Sequence, residues 1–204
     1  MSEWRQPFPR TLAARRAELQ VARERLAEEL EAVRSGVKLS ASGVVPAADE
    51  NQGRAAEAQS GHWSVAEVVY HLHLSESSIA RLLRKMLASS ERREVASDDR
   101  LLEEWERIRT LVGSRVKKVQ APERVVPNDA PPLEQSLDLL AESRWLLLEV
   151  LDGAADQDLR SIYAPHPLRG LGSLAGSSWL SVIALHEWRH ADQIRELYAG
   201  SPVR

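Results

Sequence analysis

A chain of 204 residues without cysteine excludes disulfides, thiolate metal sites, iron–sulfur clusters and a cysteine nucleophile, and leaves His, Asp and Glu as the available metal ligands. Its 27 lysines and arginines against 30 acidic residues give a net charge of −3, which offers no basic field to a nucleic-acid backbone, so no nucleic-acid partner is expected. The length suits one domain over 1–204; Met1 to Arg10 is charged and carries two prolines, and no apolar run is long enough to span a bilayer, so no membrane partner is expected and the expected compartment is the cytoplasm.

Ala, Leu, Arg and Glu dominate and strand-like alternation is weak, which predicts an all-α protein. From Thr11 to about Arg34, Leu12, Leu19, Leu26 and Val33 recur every seven residues, with Ala22 and Leu30 beside them; this is an amphipathic helix closed by Gly36. Residues 39–61 are rich in Gly, Ser, Ala and Pro without periodicity and read as a long, flexible connection. Ser64 and Glu67 have the spacing of a capping box and open a second helix on Val65, Val68, Val69, Leu72, Ile79, Leu83 and Met86, ending near Ser89.

Between Asp98 and Lys118, Leu101, Trp105, Ile108, Val112 and Val116 mark an extra, peripheral helix whose apolar stripe calls for a partner and makes a homodimer an expectation. Four prolines from Ala121 to Pro132 break the helical run. A third bundle helix carries Leu133, Leu137, Leu140, Leu147 and Leu151 and stops at Gly153. After a loop rich in Gly, Pro and Ser, the last helix runs from about Ser177 to Tyr198, with Trp179, Val182, Ile183, His186, His190, Ile194 and Leu197 on one face.

His186 and His190 thus lie on an apolar stripe, where an unpartnered imidazole costs roughly 1 to 3 kcal/mol. Residues four apart stack one turn apart, so both rings can reach one ion. The other reading is a pair of core histidines bonded to neighbouring helices. Gln193, one turn beyond His190, is a candidate support for its ring or a solvated polar residue. A further ligand must come from His62, His71, His73 or His166. His71 and His73 flank opposite sides of their helix stripe, so one at most faces a given neighbour, while His62 and His166 read as surface residues.

The runs Trp63 to Leu72 and His186 to Ile194, together with Arg144, His166-Pro167, Gly170 and Trp179 between them, resemble the signature segments of the DinB-like superfamily of metal-binding four-helix bundles. The resemblance implies a four-helix bundle, here with the extra helix inserted between bundle helices 2 and 3, and a metal triad of His71, His186 and His190. The segment 39–61 and the helix around Trp105 depart from a minimal member of that family.

Three neutral ligands leave an ion its charge and an open position, the arrangement of a catalytic site. Zinc, nickel, copper and iron(II) suit such a site, zinc and nickel first. The ion would activate a water, or hold a thiol as its nucleophilic thiolate. Some relatives are thiol S-transferases or mycothiol-dependent isomerases, so the resemblance implies a metal-dependent thiol S-transferase, with a low-molecular-weight thiol as co-substrate; a hydrolase is the other enzymatic expectation, and in either case the partner is a small-molecule substrate. The rival is a non-catalytic binding or sensor bundle with structural histidines.

Arg144 lies on the apolar side of its helix and would bind a substrate carboxylate or pair with an acid such as Glu76 or Glu187. Glu76 is a candidate general base, with a partly solvated carboxylate as the other reading. Trp63, Trp145, Trp179 and Trp188 are expected to be packing anchors.

Overall fold

The computed structural model describes residues 6–35, 63–116 and 120–198. Among the described residues six α-helices carry the fold: α1 Leu12–Arg34, α2 Val65–Ala88, α3 Asp98–Ile108, α4 Leu133–Asp152, α5 Asp156–Ser161 and α6 Gly176–Tyr198. A π-helical turn, Arg109–Gly113, continues α3, a 3-10 turn covers Glu123–Val125, and an antiparallel ribbon pairs β1 Tyr163–Pro165 with β2 Ser173–Ala175. The expected flexible connection at 39–61, the stop at Gly36 and His62 lie outside the described residues.

The long helices start where local chemistry says they should. Thr11 accepts from the Ala14 amide at α1, and at α2 Ser64 and Glu67 exchange both bonds of a capping box, at 3.2 and 2.7 Å. The capping box fixes the entry of the chain at Trp63, which matters for the site described below.

Ion pairs and cross-helix bonds give the helix directions. Arg15 reaches Ser181, Arg23 reaches Glu187 and Tyr198 reaches Glu29, so α1 and α6 run parallel. His73 meets the Leu139 carbonyl and Arg84 meets Glu149, so α2 and α4 are parallel as well. Parallel neighbours need a long crossover, and the segment from Ser89 to Pro132, with α3 in it, supplies that connection. The two pairs face each other antiparallel: Leu26 and Leu30 join Val68, Val69, Leu72, Leu140, Ala191 and Ile194 in one apolar cluster, whereas Leu19, Leu83, Leu147 and Leu180 belong to another.

Two expectations are corrected by this packing. Trp105 is only 6% exposed, and its indole N–H donates to Glu18 of α1 at 3.0 Å. Leu101, Trp105 and Ile108 of α3 are therefore buried within their own chain rather than peripheral, and the helix is shorter than the pattern from Asp98 to Lys118 implied. Trp145, expected as a packing anchor, is 68% exposed on the outer face of α4, because the leucines beside it already fill the inward face. Helix α5 and the β1–β2 ribbon escape the sequence reading altogether. They brace the start of α6, where Gly176 lies so close to Ile162 that a Cβ would sit 2.7 Å from its side chain.

Candidate metal centre

Two polar layers cross the bundle, and the lower one explains how the upper is held. Between the two apolar clusters each long helix contributes one charge: Arg23 from α1, Glu76 from α2, Arg144 from α4 and Glu187 from α6. Arg144 donates through Nε to Glu76 at 2.5 Å, through Nη2 to Glu187 at 3.0 Å and through Nη1 to the Leu19 carbonyl at 3.1 Å. Arg23 donates to Glu76 at 2.7 Å and to Glu187 at 2.6 and 2.9 Å. The quartet is neutral as a whole and every carboxylate oxygen in it accepts a bond. Burial, reinforced by repulsion from Glu187, pushes the Glu76 carboxyl up against the pull of the two arginines.

Glu76 is 2% exposed, not partly solvated, and Arg144 takes the ion-pair alternative, with both acids at once. Their side chains are engaged with each other across the core. Arg23 was missed, because on a helical wheel an arginine beside Ala22 looks like an ordinary solvated charge.

One turn above, His71 of α2 and His186 and His190 of α6 converge. Their Nε2 atoms approach to 3.1 Å between His71 and His186 and to 3.0 Å between His190 and His186, and one ligand atom from each lies within 4.8 Å of the others. Ligand nitrogens at about 2.05 Å from a tetrahedral ion would stand about 3.3 Å apart, so the spacing suits a common ion.

The tautomers follow from the acceptors. Nδ1 of His71 lies 2.6 Å from the Val125 carbonyl and must donate to it, which leaves Nε2 with a lone pair. Nδ1 of His190 lies 2.8 Å from Oε1 of Gln193, whose amide is oriented by Arg115, and its Nε2 is again a lone pair. A neutral His186 has one N–H at most for the two lone pairs that face it. No neutral arrangement satisfies both contacts, and burial opposes an added proton: it holds His71, His186 and His190 all below the ordinary histidine value, with neighbouring imidazoles and Arg189 adding to the effect at His186 and His190. Three neutral imidazoles, two of them buried and His186 half-buried, that converge with unmatched lone pairs are compatible with a metal ion.

The surroundings are ordered. The indole of Trp63 covers two of the three rings, 4.7 Å from His71 and 6.5 Å from His190. Trp63 is thus more than the packing anchor expected of it. Val125 was not foreseen either, since it lies among the four prolines that mark a break and its backbone oxygen carries no sequence signal. Gln193 supports His190 as one of its two readings anticipated.

His73 is excluded from the cluster: it faces α4, with Nδ1 2.7 Å from the Leu139 carbonyl and its ring stacked on Tyr70. His166 is half-buried, which corrects the expectation of a surface residue; its ring packs tilted against Trp179, with centroids 4.8 Å apart, because the β1–β2 loop folds back on α6.

A family model described as the DinB superfamily matches residues 40–194, a span that includes all three histidines and excludes α1 with Arg23. Comparison with curated proteins and with solved structures returns no match.

Proposed function

We propose that this chain, which belongs to the DinB superfamily, is a metal-dependent enzyme that holds one divalent cation, zinc or nickel first, on His71, His186 and His190 and acts on a small molecule. The observation that carries the reading is the convergence of three imidazoles, two buried and one half-buried, whose lone pairs no neutral tautomer can satisfy among themselves. Thiol S-transfer is the preferred reaction and hydrolysis the other. When bound, such an ion supplies a Lewis acid that makes a thiol or a water nucleophilic near neutral pH.

The chain's own residues do the rest. Val125 and Gln193 fix the rings of His71 and His190 by accepting their Nδ1–H groups, which also raises the basicity of Nε2. Trp63 keeps water from one side of the rings. The quartet below sets the rotation of α6 through Glu187, the neighbour of His186, so Glu76 and Arg144 act here as positioning residues and contact neither substrate nor ion.

Elemental analysis of protein purified without a histidine tag tests the metal, and a screen of low-molecular-weight thiols against electrophiles tests the reaction. About one equivalent of a divalent ion in the wild type and none in His71→Ala is expected, with thiol consumption only in the former. A metal-free wild type whose thermal midpoint ignores added zinc and nickel would sink the proposal and leave the non-catalytic bundle.

A further inference from the structure

Trp145 stands 68% exposed on the outer face of α4, with Leu148, one turn on, 37% exposed. An indole and a leucine side by side in water make the kind of apolar surface that marks a protein–protein contact. Next to Trp145 a groove of about 300 Å³ runs between α2 and α4. Its floor is Ser77 and Ser143, both buried, whose hydroxyls donate to the Leu74 and Leu140 carbonyls of their own helices at 3.3 and 2.9 Å. Two small side chains face each other there and leave the space open. Arg81 on one side and Glu142, Trp145 and Leu146 on the other form its walls.

Charge along the groove is unbalanced in a particular way. Where Arg84 of α2 is level with Glu149 of α4, the two meet at 2.6 Å. That contact and the one from His73 to the Leu139 carbonyl set the register of the two helices, and by it Glu142 is level with Ser77. Arg81 lies a turn farther along, about 6 Å down the axis. Arg81 and Glu142 are both exposed, and neither side chain has an ion pair or hydrogen bond among the described residues.

We propose that this face is a homodimer interface, in which Trp145 of each copy enters the groove of the other and Arg81 of each pairs with Glu142 of the other. A second copy fits because the patch carries both halves of each contact: a projecting indole and a groove to take one, an unpaired cation and an unpaired anion. A two-fold axis lying in the face that sets Arg81 opposite Glu142 of the second copy creates the reciprocal pair by symmetry. It also carries Trp145, one turn from Glu142, toward α2 of the other copy. The wider face agrees. Beyond Ser77, α2 bears Arg81, Arg84 and Lys85 and no acid, whereas α4 bears Glu134, Asp138, Glu142 and Glu149 and turns its one base, Arg144, into the quartet, so α4 of one copy laid over α2 of the other joins opposite charges. The face is about 30 Å long and two helices wide, enough for the roughly 800 Å² per partner that a stable dimer needs. None of the three metal ligands takes part, so the interface stands apart from the metal reading.

Sedimentation velocity on the full-length, untagged protein at concentrations up to about 100 μM tests the face. A dimer mass is expected for the wild type. Trp145→Ala removes an anchor from both halves and should raise the dissociation constant at least about 100-fold. Arg81→Glu and Glu142→Arg each set two like-charge contacts across the two-fold axis and should each raise it at least about tenfold. An equimolar mixture of these two charge variants should form a heterodimer, because both of its contacts are again opposite in charge. Helical circular dichroism should be unchanged in all three variants, since none of these side chains has an ion pair or hydrogen bond among the described residues. A wild type that stays monomeric to about 100 μM leaves the face to another protein or to none and overturns the proposal. So does a dimer that keeps wild-type affinity in Trp145→Ala, or a mixture of the two charge variants that associates no better than either alone.

Discussion

The quartet and the triad occupy adjacent layers of one bundle, are similarly buried, and solve the cost of burying polar groups in opposite ways. Two arginines and two glutamates, one from each long helix, cancel each other's charge and leave no carboxylate oxygen without a donor. Three imidazoles from two helices converge, and two of them, His71 and His190, have already given their donors to Val125 and Gln193 and face His186 with lone pairs. A layer that is complete in itself reads as architecture. One left short of positive charge by its own hydrogen bonds reads as a place for a ligand.

The sharpest way to break that contrast is to unbalance the quartet. Arg144→Met removes the guanidinium that bridges Glu76 and Glu187 and leaves two buried acids facing Arg23 alone. The expected cost is about 3 to 5 kcal/mol, measured by urea unfolding. A cost under about 1 kcal/mol would mean that water reaches this layer and that the two layers differ less than their geometry says.

The triad predicts a gain on ligand binding that the quartet cannot show. At a metal concentration a thousand times the dissociation constant, the wild type should gain about 4 kcal/mol of stability, and His71→Ala should gain none while keeping its helical circular dichroism. Arg144→Met, if it folds, should retain part of the gain, since it loses no ligand.

How much of this was legible beforehand follows from where each signal is written. The capping box at Ser64, the stripe from Leu12 to Val33 and the leucines of α4 are local patterns, and those helices fall within a residue or so of their expected ends. His186 and His190 were legible because a polar residue on an apolar stripe is itself an anomaly. His71 needed the family resemblance, since the helical wheel leaves it level with His73 and only the approach of α6 separates them. Arg23, the Val125 carbonyl and the contact of His166 with Trp179 depend on how distant segments meet, and no spacing encodes that. The cover of Trp105 was not legible either, because an apolar stripe on a short helix says that something covers it without saying that Glu18 and α1 do.

Acid should separate the layers next. The folded values of His71, His186 and His190 lie below the ordinary 6.5, so an unfolded chain takes up protons as pH falls through that value while the folded chain refuses them. Their contribution to stability is therefore complete above pH 6.5 and is lost as pH falls toward the depressed folded values. Glu76 has the opposite sign: its raised folded value contributes below the unfolded value of 4.5 and is lost as pH rises through the folded value. In metal-free protein, urea midpoints recorded from pH 7.5 down to 5 should fall, and a His71→Phe, His186→Phe, His190→Phe variant, if it folds, should fall less. An equal slope in both would place the acid sensitivity outside the triad.

The smallest effect tests whether the triad is held as tightly as its tautomers imply. Gln193 touches no candidate ion position; its oxygen accepts the Nδ1–H of His190 at 2.8 Å and is itself oriented by Arg115 at 3.4 Å. Gln193→Ala frees the His190 ring to turn and removes the acceptor that fixes its proton on Nδ1. The expected loss is about 10- to 100-fold in metal affinity, the usual consequence of removing such a support, with the folding stability of the metal-free protein nearly unchanged. Gln193→Glu should recover binding, because a carboxylate is a stronger acceptor for the same N–H and Arg115 already stands beside it. If Gln193→Ala binds metal as the wild type does, the ring of His190 is held by packing against Trp63 rather than by its hydrogen bond, and the proton assignment behind the three converging lone pairs loses one of its two supports.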